Sequence, residues 1–148
     1  MKRHDIELLA DYQQFYLQDE PASGDLSEAW SQEAVDRLLA VGSSVVGVGT
    51  ASAAIVPVTI ELLESAPLDD LVAFDRVNEC SLVIAQGPMV VAGCTDYFPE
   101  AIRIPIDPGT YRVRVSYLGL CNPALERYRV QLWLAPAIEP TVLKAGEA

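Results

Sequence analysis

The chain has 148 residues, 51% of them apolar, which suits a single domain with a sizeable hydrophobic core. Its net charge of −11, from 21 acids against 10 bases, argues against direct nucleic-acid binding, because phosphate contacts require lysine and arginine. No apolar run reaches the roughly 18 residues that span a bilayer, and no signal-peptide apolar block follows the first residues, so we expect a cytoplasmic protein without a membrane span.

The first predicted elements are a strand and a helix. Residues 6–18 are rich in aliphatic and aromatic side chains and predict one strand, bent near Ala10. A short helix is expected at about residues 32–41, because Ser31 is a good N-cap and Gly42 is a stop signal. An apolar face of this helix should pack on a sheet, and it comprises Val35, Leu38 and Leu39.

Short strands separated by turns follow the helix. They are predicted within residues 45–50, 55–64, 71–85, 88–93 and 127–135. Glycines in the first of these permit close backbone approach, and Pro57 indicates an edge strand or a bulge because it cannot donate a ladder hydrogen bond. Residues 102–106 and 111–117 alternate on either side of a turn at 107–110, which predicts a β-hairpin. The tail after about residue 136 is expected to be mobile.

This order of elements defines the predicted fold class. Seven or eight short strands with one short α-helix, and no strand–helix–strand alternation, indicate a mainly β protein. We therefore expect a single antiparallel β-sandwich domain spanning residues 1–148.

No catalytic or metal-binding constellation is visible. His4 is the sole histidine, so a histidine-based nucleophilic triad or a zinc site lacks its partners. Three cysteines form no CxxC pair, and they are Cys80, Cys94 and Cys121. We expect free, mostly buried thiols, with one disulfide as the alternative. We therefore predict that the protein is not an enzyme and that it binds no metal or cofactor.

Half of the ten basic residues are arginines between residues 103 and 129. These are Arg103, Arg112, Arg114, Arg127 and Arg129. Alternation turns those of the last two strands outward, where acids on adjacent strands, such as Glu61 or Glu7, would pair with them. The alternative is a basic stripe that meets the acidic N-terminal segment of another subunit.

Self-association is expected from the apolar character of the surface. Mean hydropathy is +0.21, and Ile55, Leu63 and Trp133 point outward by strand register. A homodimer or higher homo-oligomer would cover these side chains.

The sequence resembles the competence protein J family, small bacterial inhibitors of a DNA-degrading nuclease. The matching features are Tyr12-Gln13-Gln14-Phe15 in the first strand, Trp30 before a short helix, and Gly109-Thr110-Tyr111 followed by a terminal strand. The resemblance implies an intracellular binding protein that performs no catalysis and acts by occupying a nuclease.

If the chain is such an inhibitor, its acidic N-terminal third is the expected contact surface. Residues 1–36 hold nine acids against Lys2 and Arg3, whereas the other explanation of these acids is solubility alone. Spaced carboxylates would suit a positively charged nuclease cleft, and aromatic neighbours would anchor the contact. The candidate partner-binding residues are Asp11, Tyr16, Asp19, Glu20, Asp25, Glu28 and Trp30.

A second function class stays open in the sequence. A small-ligand-binding or enzymatic sandwich would use a pocket among Tyr97, Tyr117 and Tyr128.

Overall fold

The computed structural model describes residues 1–22 and 26–146, and within them it contains eleven strands and one α-helix. The helix α1 is Gln32–Arg37. The strands are β1 Lys2–Leu9, β2 Gln14–Asp19, β3 Leu39–Gly42, β4 Val45–Gly49, β5 Ile55–Leu62, β6 Arg76–Ile84, β7 Met89–Gly93, β8 Ile102–Ile104, β9 Gly109–Leu118, β10 Arg127–Leu134 and β11 Thr141–Lys144.

Two sheets enclose one apolar core. The six-stranded sheet has the order β1-β5-β10-β9-β6-β11, and the five-stranded sheet has the order β3-β4-β2-β7-β8. Between them, the Phe15 ring of β2 meets the Tyr128 ring of β10 edge-on at 5.9 Å, and Tyr117 meets Tyr128 at 5.8 Å. The predicted β-sandwich with one short helix is confirmed, although β5 and β10 pair in parallel and the strands outnumber the seven or eight expected.

The predicted first strand is two strands in different sheets. A turn at Asp11–Gln13 separates β1 from β2, and Tyr12 and Gln13 both adopt left-handed backbone conformations, with φ of 57° and 59°. Sequence pattern missed the break because Leu8 and Phe15, on either side of it, face the same core. His4 lies within β1, opposite Ile60 of β5.

The helix is shorter than predicted. The Ser31 side chain accepts a hydrogen bond from the Ala34 amide at 3.2 Å, as an N-cap should, but the helix ends at Leu38, which has φ of 64°. The predicted apolar face is wrong, because Val35 is 48% exposed and Leu39 already belongs to β3. Across residues 1–22 and 26–146, no helix has the length and apolarity needed to cross a membrane.

The predicted hairpin is also wrong. β8 pairs with β7 in one sheet, whereas β9 pairs with β6 and β10 in the other. Gly109 is nearly extended, with φ of 159°, and begins β9 instead of completing a tight turn. Alternation correctly indicated which side chains face inward, but it carries no information about the neighbouring strand.

Two further details differ from expectation. β5 is an interior strand, yet its ladder with β10 begins at Val58, so Pro57 has a partner only on the β1 side. The predicted tail contains a strand, since β11 pairs with β6, and the Lys144 ammonium donates to the carbonyls of Leu71 and Phe74 at 3.0 and 2.7 Å.

Candidate partner-binding surface

Small residues form part of the outer face of the five-stranded sheet. A Cβ on Gly47 of β4 would lie 2.8 Å from Leu26 Cδ1 and 2.9 Å from Trp30 Cζ2. A Cβ on Gly49 would lie 3.1 Å from Leu38 Cα. Residues 26–38 therefore pack directly on β4, and the predicted close approach at its glycines is confirmed.

A surface hollow of about 300 Å³ lies beside this packed segment. Ala92 lines it, together with Tyr16 of β2 and with Cys94 and Phe98 of the loop that follows β7. The guanidinium of Arg103 lies over the Phe98 ring, 5.2 Å from its centroid, which braces this loop against the sheet.

A second hollow, of about 360 Å³, lies on the other side of Trp30. Tyr12, Val35 and Leu38 line it with Trp30. Tyr12 is 71% exposed because its left-handed backbone turns the ring away from the core. We call the outer surface around both hollows the Tyr16 face, and its apolar members are Tyr12, Tyr16, Trp30, Val35 and Phe98.

The Tyr16 face belongs to the acidic half of the molecule. Residues 10–50 and 85–107, which form the five-stranded sheet and its loops, contain ten acids and two arginines, whereas the rest of the chain contains eleven acids and eight bases. Arg103 donates to Glu20 at 3.0 Å, and Arg37 lies 3.8 Å from Glu33. Most acids of this half therefore have no cation to pair with.

Five of the predicted contact residues lie at the surface of this half, and one of them is Tyr16 itself. Glu28 is exposed, Asp11 accepts a hydrogen bond from Thr95 Oγ1 at 3.0 Å, and Glu20 is half-exposed in its pair with Arg103. Trp30 packs on β4 next to Tyr16, since both rings approach the same glycine. The structure thus brings together the aromatic pair that the sequence suggested.

Asp19 does not belong to this surface. It is 1% exposed, and its carboxylate accepts hydrogen bonds from the amides of Ala85, Gln86 and Gly87 at 2.8, 3.4 and 2.8 Å. The carboxylate holds the turn before β7, so its prediction as a contact residue was wrong. Asp25 lies outside the described residues.

The Tyr16 hydroxyl is a neutral hydrogen-bonding group. Burial, together with the nearby Cys94 sulfur at 3.8 Å, raises the pKa of Tyr16 well above its usual value. The hydroxyl donates to Gln14 Oε1 at 2.5 Å, which orients the ring across the sheet. The ring therefore presents an apolar body with a fixed polar tip.

Sequence reasoning missed several members of the face. Tyr12 was assigned to a continuous strand, and nothing in its pattern distinguishes a left-handed turn residue. Phe98 did carry a signal, because an aromatic residue before Pro99 stood in a predicted loop, outside any strand. It is 38% exposed.

Arginines of the predicted stripe pair with acids of the same chain. Arg114 donates to Glu79 at 2.8 Å and lies 3.2 Å from Asp69, and Arg129 lies 2.7 Å from Asp70. Pairing with acids is confirmed, although these partners differ from the Glu61 and Glu7 suggested by sequence. The Arg127 side chain is exposed.

Trp133 was predicted to offer an outward interface and is buried instead. It is 4% exposed, and the Arg114 guanidinium lies over its ring, 5.5 Å from the centroid. Strand register gave the correct side of the sheet, but it does not reveal that other groups cover that side.

The three tyrosines of the alternative pocket do not line a common pocket. Tyr117 and Tyr128 are fully buried core rings, whereas Tyr97 is exposed and lines a surface hollow beside Glu7.

The three cysteines are free thiols. Cys80 is buried, and burial raises the pKa of its thiol to about 12, but Cys94 and Cys121 are exposed, unlike the mostly buried set expected. In the part of the chain that the structure describes, no three side chains of histidine, cysteine, aspartate or glutamate group as a metal site requires.

The structure is a two-sheet sandwich with one short helix, and one of its outer faces carries aromatic side chains among acids. Its fold matches that of ComJ, the inhibitor of the DNA-degrading activity of NucA from Bacillus subtilis, with a TM-score of 0.72 at 10% identity over 89% of this chain and 96% of that one. It also matches the protein of crocagin biosynthetic gene J, with a TM-score of 0.65 at 18% identity over 92% and 100%. No family model and no curated protein matches the sequence. The ComJ-like resemblance is thus confirmed as a likeness of fold.

Proposed function

We propose that this protein is a non-enzymatic, cytoplasmic inhibitor of a DNA-degrading nuclease and that it binds the nuclease through the Tyr16 face. One observation carries the proposal. On a fold shared with a nuclease inhibitor, exposed aromatic side chains are concentrated in the half of the molecule with ten acids and two arginines.

The charge of this half suits a nuclease cleft. A cleft that holds DNA is lined with positive charge, so an acidic surface is attracted to it and associates faster at low salt. The side chains of Glu28, Glu33 and Asp36 are exposed near the aromatic side chains of the Tyr16 face, and Asp11 lies beside Tyr12. These carboxylates would guide the encounter.

The aromatic side chains supply the short-range part of the contact. Tyrosine and tryptophan dominate many interfaces because they desolvate a large area at low entropic cost. Tyr12 is exposed and held by its turn, while Tyr16 and Trp30 are held by the sheet beneath them. A face of this kind needs little ordering upon binding.

A charge-neutralising variant tests the electrostatic part. Asp11→Asn, Glu28→Gln and Asp36→Asn together should slow association with a NucA-like DNA-degrading nuclease about tenfold at low salt and weaken its salt dependence. The matched control is Glu7→Gln, Glu64→Gln and Glu139→Gln, which removes the same charge from exposed positions outside the acidic half. The measurement is stopped-flow association together with inhibition of DNA cleavage.

The two triple variants give clear outcomes. A slower rate in the first and a rate within about twofold of the parent in the second supports binding through the Tyr16 face. Equal slowing in both would mean that net charge alone matters, which contradicts the assigned surface. A parent protein that leaves the nuclease fully active contradicts the proposed function.

The aromatic part has its own variant. Tyr12→Ala removes a side chain that is 71% exposed, so the fold should be unaffected. Dissociation of the complex should accelerate about tenfold or more, with little change in the association rate. Leu125→Ala, which is also exposed but lies on the loop before β10, should leave both rates unchanged.

A further inference from the structure

The two sheets end in four edge strands within the described residues, and β1 is the longest of them. It has eight residues, whereas β3 and β11 have four each and β8 has three. A register shift interrupts β11, and Pro105 follows β8 directly, so both of these edges are poor templates for another strand. β1 has neither a bulge nor a proline, and it is the edge that can best receive a further strand.

The backbone of β1 faces β5 and the open edge at alternate residues. The Ala10 amide donates to the Ala54 carbonyl at 2.9 Å and continues the register of the β1–β5 ladder. Bonds of an antiparallel ladder recur at every second residue, so the even-numbered residues of β1 bond to β5. The amides and carbonyls of Arg3, Asp5 and Glu7 therefore point away from β5, along the open edge.

Pro57 supports this direction independently. It has no amide hydrogen and lies opposite Glu7, where the alternation requires no donor toward β1. Across residues 1–22 and 26–146, no backbone–backbone hydrogen bond outside the ladder involves Arg3, Asp5 or Glu7. Their donors and acceptors are thus aligned on one side of the strand, as the addition of another strand requires.

The charges along this edge complement themselves. The first two residues of β1 are bases, Arg3 among them, and Asp5 and Glu7 follow. When two antiparallel copies of β1 face each other with His4 opposite His4, each Arg3 lies opposite Asp5 of the second copy. The neighbouring twofold registers place Asp5 opposite Asp5, or Arg3 opposite Arg3, and like charges directly opposite each other are unfavourable.

We propose that β1 is a homodimerisation strand, at which two copies of this chain pair edge to edge about a twofold axis at His4 and join their six-stranded sheets. Arg3 and Asp5 have the backbone groups that face the edge, so the opposite charges coincide with the hydrogen-bonded positions. A second copy fits this edge because one strand supplies both members of each ion pair.

Overall charge also favours contact at β1. The chain carries a net charge of −11, which makes two copies repel each other over most of their surfaces. Lys2 and Arg3 are the only bases in residues 1–36, and they balance Asp5 and Glu7 within the strand. Two copies can therefore approach at β1 without bringing an excess of like charge together.

The expected dimer is weak. One added strand pair buries less than the roughly 800 Å² per partner of a stable interface, so we expect a dissociation constant in the micromolar range. The contact differs from the outward side chains expected from sequence, Ile55, Leu63 and Trp133, of which Trp133 is buried. It belongs to the six-stranded sheet, whereas the proposed nuclease contact lies on the five-stranded sheet.

Cysteine crosslinking tests the register. The exposed thiols are first removed by Cys94→Ser and Cys121→Ser. His4→Cys then places two thiols opposite each other at a non-hydrogen-bonded pair, whose Cα atoms lie about 4.5 Å apart and within disulfide range. Mild oxidation should convert most of this variant to a covalent dimer, whereas Leu68→Cys, which is 92% exposed, reports random collision.

A mixture of two variants tests the same register without changing His4. Ile6 should lie opposite Lys2 of the second copy, so neither Lys2→Cys nor Ile6→Cys should crosslink alone. Only their mixture should give a covalent dimer. A disulfide in either single variant would place the strands in another register and contradict the axis at His4.

Sedimentation velocity from about 1 to 200 µM tests the ion pairs. The parent should shift from monomer to dimer, and Arg3→Asp should raise the dissociation constant at least about tenfold, because two like-charged pairs replace two ion pairs. The swap of Arg3→Asp with Asp5→Arg should restore it to within about threefold of the parent. The matched control is Arg127→Asp, the same change of charge at an exposed residue outside β1, which should stay within about twofold.

Thermal melting of each variant shows whether its fold is intact, and all of these side chains except the half-buried His4 and Ile6 are exposed. A parent that stays monomeric at the highest concentration would overturn the proposal. So would His4→Cys that crosslinks no faster than Leu68→Cys, or a charge swap that leaves the dimer as weak as Arg3→Asp does.

Discussion

The outer faces of the two sheets handle charge in opposite ways. On the six-stranded sheet, arginines and acids pair with one another, and Glu79, Arg114 and Trp133 are nearly buried there. On the five-stranded sheet, small residues support exposed aromatic rings, and the surrounding acids mostly lack cations. The proposed partner surface thus consists of charged and aromatic groups that the fold does not use for its own pairing and packing.

The difference has a simple physical origin. A charge removed from water must be paired, and the arginines of β9 and β10 are paired with Glu79, Asp69 and Asp70. Because most of the cations lie in this half, the remaining negative charge falls on the five-stranded sheet and its loops. The net charge of −11 is therefore a property of one side of the molecule more than of the whole.

The largest expected effect comes from breaking the buried pair on the six-stranded sheet. Arg114→Met would leave Glu79, which is 7% exposed, with only Arg112 at 3.7 Å. A buried carboxylate without enough compensating positive charge lowers the free energy of unfolding by about 3 kcal/mol or more, and urea unfolding should show a decrease of that size. The matched control is Arg127→Met at the exposed start of β10, which should change the unfolding free energy by less than about 0.5 kcal/mol. Similar losses in the two variants would mean that the two faces do not differ in this way.

The next effect concerns Gly47 of β4, on which the Tyr16 face packs. Gly47→Val would drive side-chain atoms into Leu26 and Trp30, which already lie within 2.9 Å of a Cβ at this position. Overpacking should cost about 2 kcal/mol and shift the Trp30 fluorescence, measured in a Trp133→Phe background. Ala92→Val, on the opposite side of Tyr16 and open to a hollow, should cost much less. An unchanged Trp30 spectrum in Gly47→Val would contradict the packing of residues 26–30 on β4.

Much of the six-stranded sheet could be predicted from sequence, because alternation directly marks strands such as β5, β9 and β10. Alternation does not name the partner strand, so the break at Gly109 between two sheets was read as a hairpin. It also does not reveal what covers a face. Trp133 points outward yet is buried, and Asp19 is the last residue of β2, yet its carboxylate accepts hydrogen bonds from the amides of a distant turn.

The sequence predicted those features of the candidate site that depend on which residue types are present. It showed the excess of acids in residues 1–36, and it suggested Tyr16 and Trp30 as aromatic contact residues. The exposure of Tyr12 depends on two successive left-handed residues, and neither of them is glycine or asparagine, the usual markers of that conformation.

A smaller effect is expected at the ion pair between Arg129 and Asp70, which anchors the loop between β5 and β6 on the six-stranded sheet. The hydrogen bonds from Arg129 lower the pKa of Asp70 below its ordinary value of 3.8. The carboxylate therefore stabilises the fold above about pH 4, and this contribution is lost as pH falls through the lowered value. Asp70→Asn should lower the free energy of unfolding by less than about 1 kcal/mol at pH 7, since the ion pair is partly exposed. Near pH 2 the variant and the parent should be equally stable.

The control for this prediction is Glu64→Gln, an exposed acid at the start of the same loop. Its stability difference from the parent should stay near zero across the pH range in urea titrations. A gap between Asp70→Asn and the parent that widens toward acid would contradict the sign of the lowered pKa.

The smallest expected effect is a gain in stability at the turn that exposes Tyr12. Gln13 holds a left-handed backbone, which costs a residue with a side chain about 1–2 kcal/mol, while glycine adopts it freely. Two losses offset part of this gain in Gln13→Gly: glycine raises the entropy of the unfolded chain, and the exposed hydrogen bond from Gln13 Nε2 to the Ala51 carbonyl disappears. We therefore expect the free energy of unfolding to rise by only about 0.5 kcal/mol. Gln14→Gly, one residue later in extended backbone, should instead lose about 0.5–1 kcal/mol. Opposite signs at adjacent positions would show that strain is stored on the five-stranded side of the molecule, beneath an exposed aromatic ring, whereas equal losses would contradict a left-handed turn there.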